Sequence, residues 1–115
     1  MSAFRKEKIE AEIRRIIAEA FIKEIKDPRI GFITVTSAKI SKDYKVVNVG
    51  ISVIGDDKDK NLTLAGATSA AGFFQHLVAK SLKLRNTPRI KFHLDSSIEE
   101  GVRMVGIIDN LDKDS

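Results

Sequence analysis

The stretch from Phe32 to Ile54, FITVTSAKISKDYKVVNVGISVI, decides the fold. Phe32 to Ile40 is rich in β-branched residues and lies between Gly31 and Ser41-Lys42-Asp43, the pattern of a strand that ends in a turn. Tyr44 to Ile54 predicts a second strand. There Val47, Val49, Ile51 and Val53 alternate with Asn48, Gly50 and Ser52, so one face is apolar and the other small and polar. The short connection makes the pair an antiparallel hairpin. Gly50 inside a strand marks a bulge or a close backbone approach.

The flanking segments supply a cover for the apolar face. Residues 1–26 read as one amphipathic helix, with Ile9, Ile13, Ile16, Ile17 and Ala20 on a stripe and Phe4 and Phe21 near its edges. Glu10 with Arg14, and Glu19 with Lys23, are spaced as favourable i,i+4 pairs. Pro28 stops this helix and turns Asp27 away from helical angles. Gly55 to Lys60 reads as a solvated loop, because its aspartates lack the full pattern of a calcium loop. Asn61 to Leu84 is again helical, with Leu62, Gly66, Ala70, Phe73, Leu77, Ser81 and Leu84 on one side and Phe74 and Val78 widening the stripe. Its first half carries almost no bulk, and a kink is expected at Gly72. Pro88 precedes a third strand, Arg89 to Leu94. Ser96 and Ser97, each followed three residues later by glutamate, cap a short final helix from Ile98 to Leu111. Burying every stripe requires an α+β fold, a three-stranded sheet covered by helices on one face.

Composition bounds the function. The 115 residues form a single domain and contain no cysteine, which excludes disulfides, cysteine-ligated zinc and thiol nucleophiles. No apolar leader or membrane span is present, so a cytoplasmic protein is expected. The net charge of +4 is unevenly spread. Asn61 to Leu94 holds Lys80, Lys83, Arg85, Arg89 and Lys91 with no acidic residue, whereas Asp95 to Ser115 is mainly acidic. Such polarity suits a polyanion. The five basic residues are the candidate phosphate contacts; Lys26 and Arg29 are weaker ones, because Glu24 and Asp27 offset them.

No enzyme emerges from the residues. His93 and Asp95 are the one histidine–carboxylate pair on a shared strand face, and no nucleophile accompanies them. Glycine-rich phosphate loops are absent.

Several blocks together resemble one family. They are Ile25-Lys26-Asp27-Pro28-Arg29-Ile30-Gly31-Phe32-Ile33-Thr34-Val35-Thr36, then Val49 to Asp56, then Ser69-Ala70-Ala71-Gly72-Phe73 with Leu82-Lys83-Leu84-Arg85 and Pro88, and finally Phe92 to Gly101. In order and spacing, from about Phe4 to Leu111, the chain resembles ribosome-binding factor A. The resemblance implies a type-II KH-like domain, with a helix kink at Ala70, Ala71 and Gly72 where other KH domains carry their Gly-x-x-Gly loop. It implies a factor without catalysis or cofactor that binds the immature or free small ribosomal subunit. Contact with ribosomal RNA near the neck and decoding region, aid to processing of its 5′ end, and growth in the cold are further implications. Off the ribosome a monomer is expected. Two other functions fit the residues: a general single-stranded RNA module acting outside the ribosome, and a protein-binding α+β domain. Salt separates RNA from protein partners, since only phosphate-driven association weakens steeply with it.

Overall fold

The computed structural model describes residues 3–84, 86 and 88–95. The chain runs α1 (Ala3–Lys23), β1 (Ile33–Ile40), β2 (Val46–Val53), α2 (Asp57–Ser69), α3 (Ala71–Leu82) and β3 (Arg89–Leu94). The sheet order is β1-β2-β3. β1 pairs antiparallel with β2, Ile33 opposite Val53 and Ile40 opposite Val47. β3 pairs parallel with β2, Val47 beside Ile90 and Val49 beside Phe92. The α+β fold with its helix-covered sheet is as the sequence predicts. The final helix expected over Ile98–Leu111, and its cap, lie outside the described residues.

The core is the alternation made solid. Val47, Val49, Ile51 and Val53 are buried, as are Ile13, Ile16, Ile17, Ala20 and Phe21 of α1. Opposite Gly50, the β1 register shifts between Val35 and Ser37. A Cβ on Gly50 would stand 2.6 Å from the Ser37 hydroxyl and 2.8 Å from that of Thr36. The bulge thus lies on β1, opposite the glycine, and the groups that approach Gly50 closely are side-chain hydroxyls rather than backbone.

Several expectations shift. Asp56 caps a helix rather than extending a loop: its carboxylate accepts from the Asp59 N–H at 2.9 Å, and the Asp59 carboxylate accepts from the Asp56 N–H at 3.2 Å. This reciprocal box satisfies two end donors, and Asp57 and Asp59 sit favourably at the positive end of α2. Gly55, at φ 150°, leaves room for Asp59, whose Cβ would lie 2.7 Å from an added methyl. Helix α1 stops at Lys23, before Pro28 requires it. The Glu10 carboxylate does not reach Arg14; it is buried and accepts from the Ile40 N–H at 2.6 Å, ending β1. Arg15 takes the surface pairing instead, bonding Glu12 and Glu19.

The stripe of the second helical segment moves by one residue. Phe74 and Val78 are fully buried, while Phe73 remains 40% exposed. Adjacent helical positions are about 100° apart, so periodicity alone allows either phenylalanine to lead. The decision is tertiary. Phe74 meets Phe21 of α1 at 4.7 Å and Phe92 of β3 at 5.4 Å between ring centroids, and Phe21 and Phe92 are 5.7 Å apart.

Truncation should separate the two phenylalanines. Phe74→Ala is expected to cost about 3–5 kcal/mol in chemical unfolding, whereas Phe73→Ala should cost about 1 kcal/mol or less. Equal costs would show that the stripe has been misplaced.

Candidate nucleic-acid interface

The helix interruption falls at Ala70, whose φ of −91° and ψ of 2° separate α2 from α3. Ala71 and Gly72 lie in the first turn of α3. The small residues around it divide into two faces. Gly66 and Ala67 point inward. A Cβ on Gly66 would stand 2.8 Å from Ile30 Cγ1, so this glycine lets α2 press against the segment that leads into β1. Ala65, Ser69 and Gly72 are exposed, and the line continues through His76 to Lys80. Space around Gly72 is open to 4 Å. A low, nearly featureless ridge thus runs into a basic helix end.

Lys80 is exposed in the last turn of α3, where a cation also suits the negative end of the helix. Lys83 forms the C-cap in a left-handed conformation, φ 52°, with its N–H bonded to the Ala79 carbonyl. That reversal leads the chain into β3, whose first residue, Arg89, is exposed and donates its N–H to the Lys45 carbonyl at 2.9 Å. Arg85 lies outside the described residues.

Lys91 stands elsewhere, on the sheet face opposite the helices. Its row across the sheet is Lys39, Asn48, Lys91, and the next row brings His93, which hydrogen-bonds the Asn48 side chain at 2.8 Å. Lys39 escaped the sequence reading because it belongs to the first strand and meets Lys91 only through β2. The Asp95 carboxylate accepts from the Thr36 hydroxyl at 2.6 Å. His93 and Asp95 thus bond to different residues, Asn48 and Thr36, rather than to each other through these contacts.

Lys26 is exposed beyond α1. Arg29 is engaged: its guanidinium spans the Asp27 carboxylate, Nη2 to Oδ2 at 2.7 Å and Nε to Oδ1 at 3.1 Å. Its own N–H donates to the same carboxylate, and its carbonyl accepts from the Thr63 hydroxyl. These Arg29 bonds hold Asp27 below the usual carboxylate range. The pair is therefore intact at neutral pH and is lost only as pH falls through that lowered value. The six described candidates thus do not form one patch. Lys80, Lys83 and Arg89 flank the passage from α3 to β3, Lys91 lies on the open sheet, and Lys26 and Arg29 follow α1.

Among the described residues, no cluster of three histidine, aspartate or glutamate side chains could hold a metal. No described helix is long and apolar enough to cross a membrane.

The comparisons with known proteins agree with this architecture. The family model described as ribosome-binding factor A matches residues 5–108. The chain belongs to the ribosome-binding factor A family. Ribosome-binding factor A of Natranaerobius thermophilus is 40% identical over 101 residues, 88% of this chain and 77% of that one. That of Geotalea daltonii is 38% identical over 104 residues, covering 90% and 85%. A solution structure of a Thermotoga maritima protein, described as a putative ribosome-binding factor A, superposes with a TM-score of 0.74 at 34% identity, over 86% of this chain and 94% of that one. A homology model of the Thermus thermophilus factor, fitted into a cryo-electron-microscopy map of a complex with the 30S subunit, gives a TM-score of 0.63 at 26% identity, over 77% and 93%. Family membership also answers the question of catalysis: ribosome-binding factor A is not an enzyme.

Because Asp27 neutralises Arg29, Arg29→Gln should leave the salt dependence of RNA association unchanged while lowering the thermal midpoint by loosening the turn before β1. A reduced salt slope in that variant would make Arg29 a phosphate contact.

Proposed function

We propose that this chain is a non-catalytic maturation factor of the small ribosomal subunit, acting in the cytoplasm by binding the immature subunit through its RNA. The observation that carries this reading is the match of a family model over residues 5–108. The Thermus factor, fitted into a 30S complex, extends it to the subunit itself. The residues support a matching chemistry. From Asn61 to Leu94 the chain offers five cations and no carboxylate, and Lys80, Lys83, Arg89 and Lys91 are exposed. Phosphate contacts of this kind fix position and orientation without reading sequence.

The ridge Ala65, Ser69, Gly72 presents no long side chain, so a folded RNA surface can approach the α2–α3 joint closely. Ala70, Ala71 and Gly72 then serve as the shape element, and Lys80, Lys83, Arg85, Arg89 and Lys91 as the charge element. Lys26 adds one exposed cation after α1. The neck and decoding region is the proposed landing site, and easier processing of the RNA 5′ end the proposed result. A short single-stranded clamp is disfavoured, because a helix joint stands where a mobile glycine loop would grip four nucleotides.

Sedimentation of a cell lysate tests the partner: the chain should migrate with free small subunits and leave assembled ribosomes unoccupied. Exchanging Lys80 and Lys83 for glutamine should reduce the slope of log affinity against log salt by up to about 2. An unchanged affinity and slope would remove both lysines from the interface.

A further inference from the structure

A cavity of about 540 Å³ opens at the tip of the hairpin, at the end of the sheet where β3 begins. Of the interface described above it shares only Arg89. Ile9, Ile13, Ile40, Leu84 and Pro88 give it apolar walls, while Lys45, Asn86, Arg89 and Asp43 stand at its rim. Its size falls in the range of about 300–1,000 Å³ common to small-ligand sites.

Tyr44 lines this cavity, half-exposed, with the Lys6 ammonium 5.2 Å from its ring centroid. Its backbone is unusual, with φ at 60°. The turn holds it there: the Tyr44 N–H donates to the Ser41 carbonyl at 3.0 Å, the Lys45 N–H to Asp43 Oδ1 at 3.1 Å, and the Val46 N–H to the Ser41 hydroxyl at 3.0 Å. A hairpin of this form ordinarily uses glycine or asparagine at the left-handed position. The turn geometry itself does not require a bulky ring there, and strain of this kind gathers at functional sites.

We propose that the cavity receives one unpaired nucleotide of RNA, its base entering between the apolar walls against Tyr44 and its phosphate meeting Arg89 and Lys45. Aromatic rings recognise bases in this way regardless of sequence. The rim favours a nucleotide over an apolar protein side chain. Lys45 and Arg89 outnumber Asp43 there, and a nucleotide's phosphate would meet that excess positive charge, which an apolar side chain would not. The assignment rests on the RNA-binding reading above but concerns a separate surface.

Two measurements test it. In binding to isolated small subunits, Tyr44→Gly and Tyr44→Asn should weaken association about 5- to 100-fold, the effect expected for loss of one stacked base. Both residues tolerate the turn, so the thermal midpoint should stay close to that of the wild type. Tyr44→Phe keeps the ring and should bind within about threefold of wild type. In the second, adenosine and uridine monophosphate are titrated into the full chain labelled for NMR. They should shift the amides of Tyr44, Lys45, Asn86 and Arg89 saturably, and inorganic phosphate alone should leave Tyr44 unshifted. If the glycine and asparagine variants bind subunits like wild type, the proposal is overturned and the broader RNA reading stands. If wild type itself does not bind subunits, both fall. A binding defect without nucleotide-induced shifts would place a protein side chain in the cavity and equally overturn the proposal.

Discussion

Phe21, Phe74 and Phe92 form the contact on which the arrangement depends. Each belongs to a different element, α1, α3 and β3, and no backbone ladder joins those helices to that strand. Their rings lie within 5.7 Å of one another, close enough for tilted and edge-to-face packing to add about 0.5–1.5 kcal/mol per pair beyond the area buried. Once Phe74 faces inward, the rotation of α3 is fixed. His76 and Lys80 must then face solvent, and the exposed line of α2 continues into them. The candidate interface is thus a consequence of core packing.

Around this core, side chains satisfy backbone donors that the sheet and helices leave over. Glu10 takes the Ile40 N–H, and Gln75 takes the Ile90 N–H at 3.0 Å. Asp56 and Asp59 close the start of α2, while Ser41 and Asp43 brace the hairpin. Both β1 and β3 are edge strands, whose open N–H groups invite pairing with other chains. Bonds from Glu10 and Gln75 occupy one such group on each edge. The same economy explains Asp27: it orders the turn before β1, and in doing so it takes up the charge of Arg29.

The positive charge is consequently divided by the fold rather than pooled. The cations at the end of α3 and the start of β3 flank a reversal made by Lys83. Lys39 and Lys91 lie on the sheet face opposite the described helices, joined in a row through Asn48. A broad, curved RNA can touch both surfaces, whereas a short oligonucleotide would engage one. That distinction accords better with a folded subunit than with a single-stranded ligand.

Sequence alone determined the local terms. Alternation of valines and isoleucines specifies the strands of the hairpin, the isoleucine stripe specifies α1, and Pro88 precedes the third strand, because these signals depend on a few neighbouring residues. The family was legible too, from ordered blocks around Asp27-Pro28 and Ala70-Ala71-Gly72. Tertiary structure decided what neighbours cannot. Phe73 and Phe74 differ by one helical position, and only Phe21 and Phe92 choose between them. The aspartates at 56 and 59 look like loop residues until a helix start presents the N–H groups they accept. Tyr44 had no legible role, because its meaning lies in a left-handed φ and in walls contributed by residues from Ile9 to Pro88. Lys39 and Lys91 are far apart in sequence and become neighbours across β2 only when the parallel strand is in register. Periodicity reports which side of an element is apolar; contact between distant elements decides which residue on that side is buried, and therefore which charges remain for a partner.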